Sequence, residues 1–89
     1  MQTTSIVVHN KVGLHARPAA LFVQAAMAHQ SKITVRNGEK SGNAKSIMGI
    51  LALGVQQNDT ITINADGPDE MDALTVLTRL VNDNFGESL

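Results

Sequence analysis

Strict alternation of apolar and polar side chains marks residues 60–65, where two isoleucines and an alanine alternate with threonines and an asparagine. An extended strand places these two sets on opposite faces, so one face can be buried. Residues 5–9 are rich in β-branched types, which favours a second strand. Alternation resumes in residues 33–41 around Asn37-Gly38, a pair typical of a two-residue hairpin turn. The pattern therefore predicts four strands, two of them joined as a β-hairpin that runs through Ser41.

Three other segments place apolar residues at helical spacing. Residues 16–28 are rich in alanine, leucine and glutamine, and Pro18 is tolerated there because it falls in the first turn. Ser46 precedes a short apolar segment that Gly54 can close, which predicts a serine-capped helix of one to two turns. A longer amphipathic helix with an acidic first turn is predicted over residues 69–85.

The predicted element order is βαββαβα, with no repeat and no linker, so residues 1–89 are expected to form a single domain. Strands with one polar face leave that face to water, which places helices on the other face only. The expected class is therefore α+β, with three helices on one face of a four-stranded, mainly antiparallel sheet. With 43% hydrophobic residues, the chain can bury a core without disulfides or metal.

Composition excludes several classes of function. The chain has no cysteine, so it can form neither a disulfide nor a thiolate metal site. Seven basic and eight acidic residues with only two aromatics argue against a nucleic-acid partner. No apolar run reaches membrane-spanning length, and residues 1–5 lack the features of a signal peptide. We therefore expect a cytoplasmic protein without membrane insertion.

The motif Gly13-Leu14-His15-Ala16-Arg17-Pro18-Ala19 lies where the predicted loop becomes the first helix. A helix start leaves its first N–H groups unpaired, here those of Ala16 and Arg17, and its dipole favours a bound anion by roughly 0.3–1 kcal/mol. The Arg17 guanidinium adds planar donors that match phosphate oxygens, and Pro18 pre-sets the first turn. We therefore predict a phosphate cradle beside His15.

In this hypothesis the chemistry belongs to His15. A neutral imidazole has a nucleophilic ring nitrogen, and a phosphorylated imidazole is in turn a good donor of the phosphoryl group. The alternative is that His15 only caps the helix, but histidine is not a preferred N-cap, and serine or aspartate would stabilise the helix better. His9 and His29 have no partner cluster in the sequence and are expected at the surface.

A second motif, Asn43-Ala44-Lys45-Ser46-Ile47-Met48-Gly49, surrounds the predicted cap of the short helix. Capping alone could explain Ser46. A phosphate on Ser46 would bring about −1.5 to −2 charges, which the helix start tolerates but an apolar partner would not. A helix this short cannot bury all its apolar residues, so some are expected to be exposed, with Met48 the best candidate for a partner contact. The alternative is that all of them pack in the core.

The two motifs at this spacing resemble those of the HPr family, the histidine-containing phosphocarriers of the phosphoenolpyruvate-dependent sugar phosphotransferase system. The resemblance covers essentially the whole chain. Residues 13–19 resemble the family's active-site signature, and residues 43–49 resemble its regulatory serine segment. The family fold, an open-faced β-sandwich, agrees with the predicted element order.

The resemblance implies a carrier rather than an enzyme. By resemblance, His15 accepts a phosphoryl group from phosphorylated enzyme I and donates it to IIA components of sugar permeases, with Arg17 assisting. Ser46 would be the target of HPr kinase/phosphorylase, and its phosphorylated form would engage a catabolite-control transcription factor. No cofactor or metal is implied, and a monomer is expected. The implied docking surface around the histidine comprises Ala16, Ala20, Gln24, Met27, Ile47, Met48 and Leu51.

The chain departs from the family's common pattern at Val12, where a polar residue is frequent, so hydroxyl assistance from that position is not expected. Gln24 and Met27 give the first helix less positive charge than in many members, so docking is expected to depend more on apolar contact.

Other functions remain open at this point. One is a mainly regulatory paralogue acting through Ser46. Another is a carrier in a phosphotransfer chain that does not serve sugar uptake. A third is a small histidine-dependent phosphatase or hydrolase, although no carboxylate or second histidine adjoins the first motif to act as general acid.

Overall fold

The computed structural model describes residues 1–11 and 13–86. Within them the order is βαββαβα, as predicted. A single 3₁₀ turn, Asn84–Gly86, follows the last helix. The elements are β1 (Gln2–Val7), α1 (Ala16–Met27), β2 (Lys32–Asn37), β3 (Lys40–Asn43), α2 (Ile47–Leu51), β4 (Thr60–Asp66) and α3 (Glu70–Asn82).

The four strands form one antiparallel sheet in the order β1-β4-β2-β3. The register pairs Ile6 with Ile61 and Val35 with Ile63, so the apolar residues of neighbouring strands share one face. The core lies between this face and the helices, and Ile61, Ile63 and Val35 are fully buried in it. The fold is therefore the predicted α+β open-faced sandwich.

The opposite face of the sheet is polar, as the alternation predicted. Thr3 Oγ1 donates to Asn64 Oδ1 at 2.6 Å, and the hydroxyls of Ser5 and Thr62 lie 3.1 Å apart. Such cross-strand pairs stabilise an antiparallel sheet without requiring a covering layer. Helices are therefore needed on one face of the sheet only.

Several predicted boundaries are wrong. The hairpin continues past Ser41, because β3 extends to Asn43. β1 spans Gln2–Val7 rather than residues 5–9, because its first residues pair with β4, as Gln2 does with Ala65. α2 ends at Leu51, before Gly54. α3 ends at Asn82, although the apolar spacing continues to Phe85. Asn84 and Phe85 take positive φ angles of 54° and 55°, and this turn buries the Phe85 ring without extending the helix.

The expectation that His29 lies at the surface is also wrong. Its side chain is only 9% exposed, and it hydrogen-bonds Ala25 of α1 and Asp72 of α3. The sequence could not show this contact, because Asp72 comes from a distant part of the chain. His9 is exposed, as expected. Met71 is 61% exposed although its spacing matches the buried stripe of α3.

None of the helices in the described part of the chain is long and apolar enough to cross a bilayer.

Candidate functional site

His15 is the N-cap residue of α1 and is exposed to solvent. Its backbone is extended, with φ −95° and ψ −167°, and its carbonyl accepts the Ala19 N–H at 2.9 Å. Its side chain makes no capping hydrogen bond to the helix. The reading of His15 as a side-chain cap is therefore wrong, and the ring projects from the point where α1 begins.

The start of α1 has the features of an anion cradle. The N–H groups of Ala16 and Arg17 lie in the first turn, where no carbonyl of the same helix can accept them. Pro18 is fully buried and has no N–H to satisfy, so its ring fixes the turn. The first turn contains no acidic residue that would compensate the positive end of the helix dipole.

Arg17 is exposed and forms no ion pair within residues 1–11 and 13–86. Its guanidinium is therefore not committed to a carboxylate of the described chain. Because it lies within the first turn, it adds a cation beside the backbone donors. The three predicted cradle residues, Ala16, Arg17 and Pro18, thus adjoin His15 as expected from their spacing.

The loop that leads into His15 is held against the rest of the fold. Leu14 is buried, and its N–H donates to the Val55 carbonyl at 3.1 Å. Gly13 has a positive φ of 62°, a conformation that favours glycine. The expectation for Val12 falls outside the described residues.

Ser46 caps α2, as predicted. Its hydroxyl accepts the Gly49 N–H at 3.1 Å, and its carbonyl accepts the Ile50 N–H at 3.0 Å. The preceding turn is closed by Asn43, whose side chain accepts the Lys45 N–H at 2.9 Å. The serine is partly exposed, so its oxygen lies at an accessible helix start.

Glycine is required where α2 packs on β3. A β-carbon on Gly42 would lie 2.6 Å from the carbonyl oxygen of Gly49, which no real structure tolerates without a shift. This close approach holds the Ser46 segment against the sheet edge. The Lys45 side chain adds a second attachment, because its ammonium donates to the His29 carbonyl at 2.7 Å.

The short helix α2 exposes part of its apolar surface. Ile50 is buried, as is Leu53 just after the helix, whereas Met48 is 75% exposed and Ile47 and Leu51 are also open to solvent. The alternative in which all of them pack in the core is therefore wrong. A five-residue helix has one inward side, so the remaining side chains face water.

The predicted docking residues of α1 occupy its solvent side. Ala16, Gln24 and Met27 are exposed and Ala20 is partly buried, while α1 and α2 pack against each other. The exposed residues of α1 and α2 therefore lie on two helices that contact each other. Sequence reasoning missed Leu21, which is also exposed and lies one helical turn beyond Arg17. The helical spacing from Arg17 would have found it.

Comparison with known proteins agrees with this geometry. The family model described as "PTS HPr component phosphorylation site" matches residues 2–83. The chain belongs to the HPr family. The HPr phosphocarrier protein of Neisseria meningitidis serogroup A is 40% identical over 87 residues, covering 98% of each chain. Membership of this family identifies the chain as a phosphocarrier of the phosphotransferase system and not as an enzyme. The hydrolase alternative is therefore excluded.

Solved HPr structures show the same fold. A crystal structure of HPr from Thermoanaerobacter tengcongensis is 49% identical, with a TM-score of 0.97 over 100% of both chains. A structure of an HPr dimer from the same organism covers 98% of this chain and 100% of its own, with a TM-score of 0.79. Dimers therefore occur among structures of HPr relatives, and the expected monomer stays a prediction for this chain.

Proposed function

We propose that His15 is the residue of this phosphocarrier that accepts and donates the phosphoryl group. The observation that carries the proposal is the exposed imidazole of the N-cap residue of α1, next to the N–H groups of Ala16 and Arg17. A nucleophile and an anion site then lie within one turn of chain. No enclosing pocket is needed, because a carrier must meet its donor and its acceptor in turn.

The proposed transfer consists of two displacements at phosphorus. A ring nitrogen of neutral His15 attacks the phosphorus carried by phosphorylated enzyme I, a P–N bond to His15 forms, and the donor's bond to phosphorus breaks with its electron pair. In the second step a nucleophile of a IIA component attacks the same phosphorus, and the bond to His15 breaks. The imidazole is regenerated, so the protein is unchanged after each cycle.

In this proposal the start of α1 stabilises the oxygens of the transferred group. The N–H groups of Ala16 and Arg17 are fixed donors, and the Arg17 guanidinium can follow the group as charge develops. A fixed donor set costs no reorganisation during the reaction, which favours transfer in both directions.

Docking is proposed to use the exposed residues of α1 and α2. Met27 and Met48 extend apolar, flexible side chains into solvent on the two helices that flank the site. Such side chains adapt to several partners, which suits a carrier that meets both enzyme I and IIA components. We place this exchange in the cytoplasm, which the absence of cysteine favours.

Ser46 is proposed as a regulatory site for HPr kinase/phosphorylase. Its oxygen caps α2, so a phosphate would meet the N-terminal end of the helix dipole and the fold would remain intact. The new charge would adjoin Ile47 and Met48, and docking of an apolar partner surface there would require its dehydration. The phosphorylated form would instead favour a partner with basic residues, such as a catabolite-control transcription factor.

Intact mass measurement tests the carrier role. Incubation with phosphoenolpyruvate and enzyme I should add one phosphoryl group that is lost in acid. His15→Ala should abolish the addition, and His9→Ala should keep it, because His9 is exposed but lies outside the site. Labelling that persists in His15→Ala would exclude His15 as the acceptor.

A parallel measurement tests the regulatory site. ATP and the kinase should add an acid-stable phosphoryl group that Ser46→Ala removes and Ser41→Ala, altered at an exposed serine of β3, retains. Ser46→Asp should slow transfer from enzyme I. Undiminished transfer in that variant would contradict the proposed regulation.

A further inference from the structure

Asn10 is a buried polar residue in the loop between β1 and α1. It is 1% exposed, although asparagine is normally a surface residue. Its side-chain amide donates to the Gly13 carbonyl at 2.6 Å, and its backbone carbonyl accepts the Gly13 N–H at 3.1 Å. Both polar groups of the Gly13 backbone are therefore held by Asn10.

Gly13 is confined on its other side by the segment after α2. A β-carbon at Gly13 would lie 2.2 Å from the Val55 carbonyl oxygen and 2.7 Å from the Gln56 α-carbon, so the two backbones are in direct contact. The next residue repeats this attachment, because the Leu14 N–H donates to the same Val55 carbonyl. Gly13 thus lies between the Asn10 amide and the backbone of residues 55–56.

The segment that supports Gly13 is itself anchored. The Val8 N–H donates to the Asp59 carbonyl at 2.9 Å, and the Asn58 N–H donates to the Val8 carbonyl at 2.7 Å. The Asp59 carboxylate accepts the Gln56 N–H at 2.9 Å. Residues 55–59 are therefore held in place by hydrogen bonds to the end of β1. If the loop before His15 were displaced, these residues would not move with it.

We propose that Asn10 is a positioning residue for phosphoryl transfer at His15. The start of α1 fixes His15 from its C-terminal side, through the bond from the Ala19 N–H to the His15 carbonyl. Asn10 fixes it from the N-terminal side, because its amide sets the direction of the Gly13 carbonyl two residues before the histidine. The backbone of His15 is therefore held on both sides, which fixes the position from which its ring projects.

This inference rests on the proposed function of His15. Transfer needs the attacking and leaving atoms in line at phosphorus, and a misplacement of about 1 Å can cost roughly 10²-fold in rate. Without the Asn10 amide, the Gly13 carbonyl loses its partner and the loop can turn. The expected defect is in the transfer step and not in docking, because Asn10 is buried away from any partner.

The test compares Asn10→Ala and the isosteric Asn10→Asp with the wild-type chain. Single-turnover transfer from phosphorylated enzyme I is followed over a range of enzyme I concentrations. The rate at saturation should fall by about tenfold to a hundredfold, while the half-saturating concentration should change by less than about twofold. Each variant is measured where denaturant titration shows it folded.

His29→Gln is the matched control. It also removes a buried side chain bonded to a backbone carbonyl, but at the far end of α1. It should lower stability and leave the saturating transfer rate unchanged. Folded Asn10 variants that transfer at the wild-type rate would overturn the inference and leave the proposed function intact. Failure of the wild-type chain to be labelled on His15 would overturn both.

Hydrogen exchange of the wild-type chain supplies a measurement that does not depend on a variant folding. The Gly13 and Leu14 amides should exchange at least about 10²-fold more slowly than unstructured amides, because both are hydrogen-bonded within the anchored loop. Exchange of these two amides at unprotected rates would show that Asn10 does not fix the loop, and the inference would fail.

Discussion

His29 joins the end of α1 to α3 through Asp72. Its Nε2 lies 2.8 Å from Asp72 Oδ2, and its Nδ1 lies 2.8 Å from the Ala25 carbonyl oxygen. A carbonyl and an ionised carboxylate can only accept hydrogen bonds, so both contacts are satisfied together when both ring nitrogens carry hydrogen. The geometry therefore favours the imidazolium form of His29.

The free energy of unfolding should decrease with rising pH because of this contact. Burial opposes the charged form of His29, but the hydrogen bonds with Asp72 and Ala25 and the charges of Asp69 and Asp72 outweigh it, so its pKa is raised. The stabilisation is fully present below the unfolded pKa of about 6.5 and is lost as pH rises through the higher folded pKa.

Urea denaturation of the wild type, His29→Gln and His9→Gln between about pH 5 and pH 9 checks this prediction. At the acidic end, His29→Gln should cost roughly 1.5–3 kcal/mol, as expected for hydrogen bonds to a charged group. The exposed His9 serves as the matched control and should keep the wild-type pH dependence. Equal pH dependence in His29→Gln and wild type would refute the imidazolium assignment.

Asp69 should make stability fall in acid. Its carboxylate accepts the N–H groups of Gln30 and Ser31, each at 2.9 Å, and the Ser31 hydroxyl. The Ser31 hydroxyl and these backbone donors lower the pKa of Asp69 to about 2. The stabilisation is present above the unfolded pKa of 3.8 and is lost as pH falls toward 2.

Replacing Asp69 by asparagine should reduce the slope of unfolding free energy against pH between about 4 and 2. Glu39→Gln, in the exposed hairpin turn, removes an acidic group that has no such partners among residues 1–11 and 13–86, and it is the control. The slopes are measured by denaturant titration at each pH. A slope in Asp69→Asn as steep as in the wild type would assign the acid sensitivity to another carboxylate.

Ser46→Ala should destabilise the fold even without phosphorylation. The variant removes the oxygen that accepts the Gly49 N–H, and loss of an N-cap typically costs about 0.5–2 kcal/mol. Ser46→Asp keeps an acceptor and should lie near the wild-type stability, while Ser41→Ala controls for loss of a serine hydroxyl. Thermal or urea unfolding gives the comparison. Equal stability of Ser46→Ala and wild type would show that the cap contributes nothing.

Gly13→Ala should be more damaging than the same change at Gly38. Both residues have φ near +60°, so each substitution incurs the left-handed strain of about 1–2 kcal/mol. Only at Gly13 does the new β-carbon meet backbone, whereas at Gly38 no atom of residues 1–11 or 13–86 lies within 4 Å of it. We expect Gly13→Ala to cost at least about 1 kcal/mol more than Gly38→Ala and also to slow phosphoryl transfer.

Denaturant titration of Gly13→Ala and Gly38→Ala gives the two free energies of unfolding that test this prediction. Because the backbone conformation is matched, the difference between the two variants isolates the steric contact with Val55. Equal losses of unfolding free energy in the two variants would mean that the loop before His15 can shift at Gly13 to accommodate the β-carbon, and the prediction would be wrong.

Local sequence patterns were enough to predict the order of the strands and helices along the chain and the antiparallel sheet with helices on one face. Alternation fixed the buried face of β4, and the unpaired N–H groups at the start of α1 follow from helix geometry alone. The loop that supports His15 could not be predicted, because Gly13 packs against residues 55–56 and the Leu14 N–H donates to the Val55 carbonyl. His29 was misplaced for the same reason. Both cases involve partners that lie far away in the sequence.

Two exposed methionines on different helices offer a matched test of the docking surface. Met48 on α2 is 75% exposed beside the proposed site, and Met71 on α3 is 61% exposed. A glutamate at either position adds the same charge to the same protein, so net-charge effects on encounter are equal. Only Met48→Glu places that charge where enzyme I is proposed to exclude water.

We therefore expect Met48→Glu to weaken docking to enzyme I by about tenfold or more, with Met71→Glu close to wild type. Titration calorimetry with unphosphorylated enzyme I, repeated at two salt concentrations, measures both affinities. Because the proposed contact is mainly apolar, the wild-type affinity should depend only weakly on salt, whereas long-range attraction would be strongly screened. Equal weakening by both glutamates would mean that overall charge controls docking, and the exposed apolar residues of α2 would then not be the contact surface.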